Sequence, residues 1–444
     1  MFENNKIFIL GMARSGYEAA KLLASRNNEI ILNDKNPDQD KEHIKELEKL
    51  GVKLIFGDYN LDMLNGIDYI IKNPGIKDNH ELISKAKEMG IPVINEVEMS
   101  YRLLPKDITL IGVTGSNGKT TTTSLIYEIL KNANLPVTLA GNIGYPLSAY
   151  VNNIKSNDIL LMEISIQQLC NFDKFKTNIS VLTNIFDAHL DFVGSKENYI
   201  NIKKRIFNHH TKDDLAVLNY DNEEVLKNTN DIMSHIEYFS KFNTTAKCNI
   251  VDNDIYYDNK KLISTNELLL KGNHNYENVM AAIIVAKRLN ISDEVIINTL
   301  KNFKSVEHRI EFVKELNGVK IYNDSKATNV TATQIALSSF KEPTILLLGG
   351  LDRGHSFDGL IPYMKNVKLV ICYGQTKNRI KEFCDRININ CIIKDTLIES
   401  TEEAINNSVS GDVILLSPAC ASWDQFKDFE ERGRIFKEYI NSKE

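Results

Sequence analysis

Short apolar runs alternate along the chain with amphipathic stretches that have helical spacing. In the first part of the chain, such runs predict strands at residues 6–10, 29–32, 53–56, 69–71 and 92–94. Amphipathic patterns at 18–25 and 41–50 predict helices between these strands. This alternation predicts a parallel, doubly wound sheet, and residues 101–107, which include Pro105, predict a linker.

A second block follows the predicted linker. It begins with a predicted strand at 109–113 and a helix over 121–130, and further strands are predicted at 159–162 and 179–183. Short apolar pieces and turn signals between 217 and 270 predict a smaller, partly antiparallel insertion. A helix predicted over 278–289 ends the block.

Strand–helix alternation returns in a third block after His308 and Arg309. Its predicted strands are residues 319–322, 344–348, 367–372 and 413–417. The three blocks predict three α/β domains, at residues 1–104, 105–307 and 308–444. The length of 444 residues agrees, because one hydrophobic core rarely serves more than about 250–300 residues.

Composition and charge narrow the class of protein. Contents of 43% hydrophobic and 25% charged residues are typical of a globular protein. The net charge of -6 argues against nonspecific nucleic-acid binding, and no run approaches the roughly 20 apolar residues of a membrane span. The first residues enter a strand without a signal-like segment, so a cytoplasmic location is expected. Six scattered cysteines predict reduced structural thiols.

The heptapeptide TGSNGKT, residues 114–120, lies between the first predicted strand and helix of the second block. A glycine-rich turn that opens a helix offers backbone N–H groups and the positive end of the helix dipole to an anion. Lys119 adds a mobile charge for a terminal phosphate, and Thr120 adds a hydroxyl suited to Mg²⁺. Val113 stands where a longer phosphate loop would have glycine. The alternative is an ordinary polar turn.

Other polar residues in this block have both a chemical and a structural interpretation. Glu163 follows a predicted strand, where α/β folds place metal-binding carboxylates, but it could be a cap or a surface residue. His189 could be a metal or substrate ligand or a structural histidine. Lys203 lies in a basic triplet that could be a solvated helix face. Asn275 and Asn278 could cap a helix or present amides to a purine.

Three polar or glycine-rich loops follow predicted strands of the third block, at residues 323–329, 349–354 and 417–422. Loops at the carboxyl ends of parallel strands converge on one edge of a sheet, where α/β folds bind ligands. Lys326, Arg353 and the hydroxyls of these loops predict a site for an anionic small molecule.

A glycine pair also follows the first predicted strand of the chain. The segment GMARSG, residues 11–16, and Asp34 after the second strand are similar to a dinucleotide fingerprint. The middle glycine of that fingerprint is absent, so a nucleotide fits here but NAD is not strongly indicated.

Eleven short motifs taken together resemble one enzyme family. They are GMARSG (11–16), NPG (73–75), TGSNGKT (114–120), GNIG (141–144), EIS (163–165), DAHLD (187–191), GNHNYEN (272–278), HR (308–309), NDSKATN (323–329), GGLDRG (349–354) and SPACASWDQF (417–426). The segments NDSKATN and SPACASWDQF are the most specific. Through nearly its whole length the chain resembles the Mur ligases of peptidoglycan precursor synthesis.

The resemblance implies a fold and a reaction. The expected fold is α/β with an N-terminal Rossmann-like domain, a central P-loop ATPase-like mixed sheet and a C-terminal Rossmann-like domain. The expected reaction joins the L-alanine carboxylate of a UDP-muramoyl precursor to the amine of D-glutamate at the expense of ATP. A carboxylate is a poor electrophile, so it would first become an acyl phosphate, and the amine would then attack through a tetrahedral intermediate. Mg²⁺ and Lys119 would neutralise the charges that meet.

The resemblance also implies roles for individual residues. Two Mg²⁺ sites are expected, with Thr120, Glu163, His189 and a carbamylated Lys203 as ligands. Asn142 joins Lys119, Glu163, His189 and Lys203 as a catalytic residue. The expected ATP-binding residues are Gly115, Ser116, Asn117, Gly118, Lys119, Thr120, Thr121, Asn275, Asn278, Arg309 and Asp324.

Two further sets belong to the other substrates. The expected ligands of the UDP precursor are Arg14, Ser15, Asp34, Lys35, Asn73, Pro74, Gly75, Asn142, Ser165, Gln168 and His189. The expected ligands of D-glutamate are Lys326, Thr328, Arg353, Ser422 and Phe429. The family commonly has serine and phenylalanine where Ile166 and Gln167 stand, and some relatives have lysine in place of Arg353.

Three other interpretations remain open from the sequence. A sibling ligase could add L-alanine or a diaminoacid, or it could add glutamate to folate. A nicotinamide dehydrogenase could use the N-terminal nucleotide fold. A nucleotide-dependent switch or scaffold would have no enzymatic activity. The ligase interpretation predicts small-molecule substrates, no nucleic acid, no membrane span and a monomer.

Overall fold

Three β-sheets follow one another along the chain, with five, nine and six strands. The computed structural model describes residues 2–186, 190–270, 272–303 and 307–443, without the side chains of residues 190, 191, 273 and 274. The chain forms two compact units, Met1–Asn302 with the first two sheets and Phe303–Glu444 with the third. The α/β class predicted from the alternation of strands and helices is confirmed.

The first sheet is entirely parallel, with the strand order β3-β2-β1-β4-β5. The order reverses between β1 and β4, and open α/β sheets bind ligands outside the carboxyl ends of strands at such a reversal. Its strands are β1 Lys6–Leu10, β2 Glu29–Asp34, β3 Lys53–Phe56, β4 Tyr69–Lys72 and β5 Val93–Asn95, with helices α1 Arg14–Ala24, α2 Lys41–Lys49, α3 Glu81–Glu88 and α4 Glu96–Tyr101 and a 3₁₀ turn Leu61–Leu64.

The second sheet has the order β14-β13-β12-β11-β10-β9-β6-β8-β7. It is parallel from β7 to β12, and β13 and β14 add an antiparallel edge. Its strands are β6 Thr109–Thr114, β7 Val137–Gly141, β8 Ile159–Glu163, β9 Ile179–Leu182, β10 Leu215–Asn219, β11 His235–Ser240, β12 Cys248–Val251, β13 Asp254–Tyr257 and β14 Lys260–Ser264. The helices of this part are α5 Lys119–Asn132, α6 Ile166–Leu169, α7 Leu190–Val193, α8 Lys196–Lys204, α9 Glu223–Asn228, α10 Asn273–Arg288 and α11 Asp293–Asn302, with 3₁₀ turns Leu147–Ala149, Arg205–Phe207 and Thr265–Glu267.

The region 217–270 was predicted as a smaller, partly antiparallel insertion; its partly antiparallel pairing is confirmed, but it is an extension of the second sheet and not an insertion. Its strands continue the second sheet, and only the hairpins formed by β12, β13 and β14 are antiparallel. All five residues of β10 are buried, as in an internal parallel strand. A short strand without apolar–polar alternation does not reveal its neighbours in the sheet.

The third sheet has the order β15-β16-β20-β17-β18-β19, in which only the edge strand β15 is antiparallel. Its strands are β15 Glu311–Leu316, β16 Val319–Asn323, β17 Thr344–Gly349, β18 Val367–Tyr373, β19 Cys391–Ile393 and β20 Val413–Leu416, with helices α12 Val330–Ser338, α13 Lys377–Arg386, α14 Leu397–Asn406 and α15 Phe429–Asn441 and a 3₁₀ segment Asp358–Asn366. The two edge strands β15 and β19 had no predicted counterpart, because both are half exposed.

Buried helices pack against the second sheet and stabilise it. In α10, all residues from Val279 to Ala286 are buried, because one side packs on the sheet and the other on α5. Burying each Val, Ile or Leu side chain contributes about 1.5–3 kcal/mol. Within the described part of the chain, no helix has the length and apolarity to cross a bilayer.

Candidate active site

The loop between β6 and α5 is shaped by two glycines. Gly115 has φ +150° and Gly118, the residue before α5, has φ +80°. A Cβ at Gly115 would lie 1.9 Å from Thr183 Oγ1, and one at Gly118 would lie 2.3 Å from Asn278 Oδ1. Side chains are therefore excluded at both positions, and the loop leads directly into the N-terminus of α5, whose first N–H groups have no partner within the helix.

Three residues that the sequence did not assign to this loop hold it in place. Asn184 accepts a hydrogen bond from Asn117 N at 2.9 Å through its Oδ1, and its carbonyl accepts one from Ser116 N at 3.0 Å. Thr183 Oγ1 donates to the carbonyl of Asn117. Tyr199 OH is hydrogen bonded to Ser116 Oγ at 2.8 Å. In the sequence, the polar residues after β9 were the only available signal of this role. Their contact with the loop could not be predicted, because it depends on β9 lying next to β6 in the sheet.

Lys119 lies folded over the loop. Its Nζ donates to the carbonyls of Gly115 and Ser116 at 2.9 and 3.0 Å. Thr120 and Thr121, the next residues of α5, are buried. An ammonium group held by loop carbonyls beside a helix N-terminus is placed to meet a phosphate oxygen.

Glu163 ends β8, directly beside β6 in the sheet. It pairs with Val113 on one side and Gly141 on the other. Its Oε1 accepts a hydrogen bond of 2.6 Å from Asn142 Nδ2, whereas its Oε2 is buried and has no hydrogen-bond partner. A buried carboxylate oxygen without a partner is costly, and a cation near the loop would satisfy it. The predicted residues Asn142 and Glu163 are therefore brought together.

Lys203 is fully inside the protein near the end of α8. Its Nζ donates to Thr114 Oγ1 and to the carbonyl of Gly115, both at 2.9 Å, and its side chain is 1% exposed. Burial, with the charge of Lys119 in addition, lowers the pKa of Lys203 well below its ordinary value. The surface interpretation of the basic triplet is thus wrong for Lys203. The surface interpretation is correct for the neighbouring Lys204, which pairs with Asp231 at the surface.

The remaining predicted residues of this region are placed as follows. Asn278 is buried, accepts from Thr122 Oγ1 at 3.1 Å and donates to Asn275 Oδ1 at 3.4 Å, so its amide lies against the phosphate loop. His189 lies outside the described residues. The part of the chain that the structure describes has no cluster of three or more His, Cys, Asp or Glu residues suited to a metal. A magnesium ion here would therefore need Thr120, Glu163 and oxygens of the nucleotide.

Ser165 and Gln168 form a capping box at the start of α6. Ser165 N donates to Gln168 Oε1 at 2.9 Å, and Gln168 N donates to Ser165 Oγ at 3.4 Å. Ile166 is buried in the core. This arrangement gives both polar residues a structural role, which is compatible with a further contact to a substrate.

The predicted ligands of the UDP precursor that belong to the first block lie at the reversal point of the first sheet. Asp34, at the end of β2, accepts from Met12 N at 2.7 Å and from Asn36 N at 2.8 Å. Asn73, after β4, donates to Ser15 Oγ at 3.1 Å and accepts from Gly75 N at 3.0 Å. The neighbouring predicted residues Arg14, Lys35 and Pro74 lie at the surface of the same edge.

The three loops of the third block lie side by side. They follow β16, β20 and β17, which are adjacent in the sheet and parallel. Leu351 N donates to the carbonyl of Ala421 at 2.9 Å, and a Cβ at Gly350 would lie 2.3 Å from that oxygen. Close backbone contact therefore sets the distance between the loops after β17 and β20.

Asp324 lies at the base of these loops. Its Oδ2 accepts from Ser417 Oγ at 2.7 Å and its Oδ1 accepts from Ile310 N at 3.2 Å. Burial raises the pKa of Asp324 to about 7, although Ser417 and the nearby Arg309 act in the opposite direction. The two predicted residues Arg309 and Asp324 are thus neighbours in the second unit.

The predicted D-glutamate ligands surround the same edge of the sheet. Lys326 Nζ lies 5.5 Å from the ring centroid of Phe429, and Thr328 follows on the same loop. Ser422 is 1% exposed and its Oγ has no hydrogen-bond partner. Arg353 Cζ lies 4.9 Å from the ring centroid of Trp423. Positive charge and an unsatisfied hydroxyl make the edge suited to a carboxylate.

Arg432 is a further residue that the sequence did not reveal. Its side chain is 0% exposed and donates to the carbonyl of Ser325 at 2.7 Å, to Ser325 Oγ at 2.9 Å and to the carbonyl of Cys420 at 3.1 Å. It thereby links the loops after β16 and β20 from the first part of α15. An arginine in an amphipathic helix pattern gives no sign in the sequence that it is buried.

The fold and these loops define an α/β protein of the phosphate-loop nucleotide-binding class with additional ligand loops in a second unit. Comparisons with known families narrow this class. Residues 5–95 match the Mur ligase MurD-like N-terminal domain, residues 113–286 the Mur ligase middle domain, and residues 308–420 the Mur ligase glutamate ligase domain.

Full-length relatives agree with the domain matches. UDP-N-acetylmuramoylalanine–D-glutamate ligases from Bacillus cereus strain Q1 and from Bacillus anthracis are each 42% identical over 451 aligned residues, covering 99% of this chain and 98% of the relative. The chain belongs to the Mur ligase family, as the motifs indicated.

Solved structures share the fold at lower identity. UDP-N-acetylmuramate-alanine ligase MurC from Thermotoga maritima has a TM-score of 0.62 at 19% identity, covering 99% of this chain and 100% of that one. MurF ligase from the same organism in complex with ADP has a TM-score of 0.59 at 18% identity, covering 99% and 96%.

Proposed function

We propose that this chain is an ATP-dependent ligase that joins D-glutamate to UDP-N-acetylmuramoyl-L-alanine in peptidoglycan precursor synthesis. The observation that carries the proposal is the unpartnered Glu163 oxygen beside a phosphate loop covered by Lys119. Identity of 42% over nearly the whole length to ligases of that name supports the choice of substrates. ATP and Mg²⁺ are the cofactors that this family of ligases implies.

The nucleotide site would be built around the phosphate loop. Lys119 would exchange its two loop carbonyls for phosphate oxygens, because its charge is then paired with an anion. Thr120 and Glu163 would hold Mg²⁺, which supplies Lewis-acid stabilisation of the charge on the phosphates. Asn142 would keep Glu163 oriented through its hydrogen bond to Oε1.

Lys203 is proposed to be carbamylated and to serve a second Mg²⁺ together with His189. An ammonium cannot bind a cation, whereas addition of CO₂ to the neutral amine, with loss of one proton, gives a carbamate whose two oxygens share one negative charge. Burial of the side chain beside the charge of Lys119 supports this, because both favour the neutral amine that CO₂ requires.

The two other ligand edges would hold the reactants. Arg14, Ser15, Asp34, Lys35 and the turn at Asn73 would bind the uridine diphosphate. Lys326, Thr328, Arg353, Ser422 and Phe429 would bind D-glutamate, and Asn275, Asn278, Arg309 and Asp324 would bind ATP. The acyl phosphate formed from the L-alanine carboxylate would then react with the amine, and phosphate would leave.

Further parts of the proposal concern the whole chain. We infer domain boundaries at residues 1–104, 105–307 and 308–444, a monomer and a cytoplasmic location. A sibling ligase remains the main competitor, because the fold is shared with ligases that bear other names.

One assay separates these possibilities. ADP release is measured with UDP-N-acetylmuramoyl-L-alanine, Mg²⁺, ATP and one amino acid at a time. Release is expected with D-glutamate and not with L-glutamate, L-alanine or a diaminoacid. Turnover with another amino acid but not D-glutamate would contradict the proposal, and NADH binding without ATP use would favour a dehydrogenase.

A further inference from the structure

Trp423 is the only tryptophan of the chain, and it lies on the surface. It follows Ser422 in the loop after β20 and is 63% exposed. The face of an indole ring attracts a neighbouring cation, also where the ring lies at the surface.

The guanidinium of Arg353 is such a neighbour. Its Cζ lies 4.9 Å from the Trp423 ring centroid, a distance typical of a cation–π contact. The contact joins the loops after β17 and β20, which the Leu351–Ala421 hydrogen bond already holds together. Since the backbone fixes both loops, the ring and the guanidinium meet without ordering a mobile segment.

Neither of the two acidic side chains next to these residues, Asp352 and Asp424, pairs with Arg353. Asp352 binds Arg379 and accepts from Gly354 N at 2.8 Å. Asp424 Oδ2 accepts from Gln375 N at 3.1 Å, and its buried Oδ1 has no hydrogen-bond partner. Among the described residues, Arg353 has no hydrogen bond or ion pair, so the N–H groups on its edge are available to a ligand.

An unsatisfied group next to Trp423 also indicates a ligand at this place. Ser422 Oγ is buried and lacks a hydrogen-bond partner. A hydroxyl can donate to a carboxylate oxygen, and a guanidinium can bind a carboxylate with two parallel hydrogen bonds. The free edge of Arg353 and the free hydroxyl of Ser422 therefore match the same chemical group.

We propose that Trp423 is a positioning residue that holds the face of Arg353 and so directs its N–H groups at a carboxylate of the incoming amino acid. This inference rests on the proposed binding of D-glutamate at these loops. Trp423 itself need not contact the substrate. It would reduce the number of conformations that Arg353 must lose on binding.

Kinetics of three variants test this role. Trp423→Leu removes the aromatic face, and its KM for D-glutamate is expected to rise about two- to five-fold, because an exposed cation–π contact contributes roughly 0.5–1 kcal/mol. Its kcat should stay within about two-fold of the wild type. Trp423→Phe should restore most of the loss. Phe242→Leu is the control, because Phe242 is 81% exposed and contacts Lys241 similarly, but lies in the other unit.

A double-mutant cycle and fluorescence complete the test. In an Arg353→Ala background, Trp423→Leu should add almost nothing to KM. Emission of the single tryptophan in the wild type should change on titration with D-glutamate and not with L-glutamate, and Arg353→Ala should abolish the change.

The outcomes distinguish two failures. If the wild-type enzyme does not use D-glutamate, the proposed function itself is contradicted. An active wild type, with unchanged KM in Trp423→Leu or equal losses in both Arg353 backgrounds, would overturn the role of Trp423 and leave the function intact.

Discussion

At the scale of single residues, the informative groups are buried polar atoms that the fold leaves unsatisfied. Glu163 has one oxygen bound by Asn142 and one without a partner, although the side chain is 1% exposed. Ser422 shows the same feature in the second unit. Each such atom costs about 1–3 kcal/mol, and these two lie at or after strand ends beside the candidate binding loops, where a ligand would satisfy them.

Glu163→Gln tests the metal role of that oxygen. The amide can still accept from Asn142 but lacks the charge that a divalent cation needs. We expect kcat to fall by at least about a hundred-fold because the cation loses a charged ligand, with thermal stability changed little because the Oε2 atom has no hydrogen-bond partner in the fold. ADP release and thermal unfolding measure both effects. Glu223→Gln, whose side chain is 79% exposed, is the control, and near-normal turnover in Glu163→Gln would refute the role.

Substitutions of the neighbouring residues Lys203 and Lys204 test the proposed carbamylation of Lys203. Lys203→Met should abolish turnover, because the buried position can then carry no negative group, whereas Lys204→Met loses only a surface ion pair of about 0–1 kcal/mol. ¹³C NMR after incubation with labelled bicarbonate should show a carbamate signal in the wild type and in Lys204→Met. Its absence from the wild type, or its persistence in Lys203→Met, would contradict the modification.

At the scale of elements, the phosphate loop depends on the helix behind it. Gly118 ends the loop with φ +80°, and the amide of Asn278 from α10 occupies the space where a Cβ would be. The glycine pattern could be read from the sequence. The contact with α10 could not, because the two segments are far apart in the chain.

Gly118→Ala is therefore expected to weaken ATP binding by more than about ten-fold, since both the backbone and Asn278 must move. Gly51→Ala is the control, because Gly51 has φ +79° with open space around its Cα. It should lower the free energy of unfolding by about 1 kcal/mol and leave ATP binding unchanged. Calorimetric titration with ATP and urea unfolding compare the two. Equal ATP affinity in both variants would show that the Asn278 side chain can move away from a Cβ at position 118 without affecting the ATP site, and would contradict the prediction.

At the scale of the whole molecule, the two units contain buried groups with opposite responses to pH. In the first unit, His210 is hydrogen bonded to Thr177 Oγ1 at 2.8 Å and to Ser234 Oγ at 2.6 Å, and burial lowers its pKa to about 4. In the second unit, burial raises the pKa of Asp324 to about 7. Their unfolded-state values lie near 6.5 and 3.8.

The direction in which pH changes the free energy of unfolding of each unit depends on whether the native or the unfolded state binds more protons. Between pH 6.5 and about 4 the unfolded state protonates His210 and the native state does not, so the first unit loses up to about 3 kcal/mol as pH falls. Between about pH 4 and 7 native Asp324 keeps a proton that the unfolded state releases, so the second unit loses up to about 4 kcal/mol as pH rises.

His210→Gln and Asp324→Asn should each flatten the pH dependence of their own unit only. Hydrogen exchange measured by mass spectrometry resolves the units, and emission of Trp423 follows unfolding of the second one. A pH dependence in the second unit that Asp324→Asn leaves unchanged would show that its carboxyl titrates normally.

The sequence by itself determined the alternation of strands and helices, the glycine turns and the polar residues at strand ends, because these depend on local periodicity and backbone geometry. It also carried the motifs that assign the chain to its family. Only the tertiary structure decided the strand order, which places Glu163 beside the phosphate loop and makes neighbours of the loops after β16, β20 and β17. Burial likewise separated Lys203 from Lys204 and revealed Arg432, because the cost of desolvating a charge depends on neighbours that are distant in the chain.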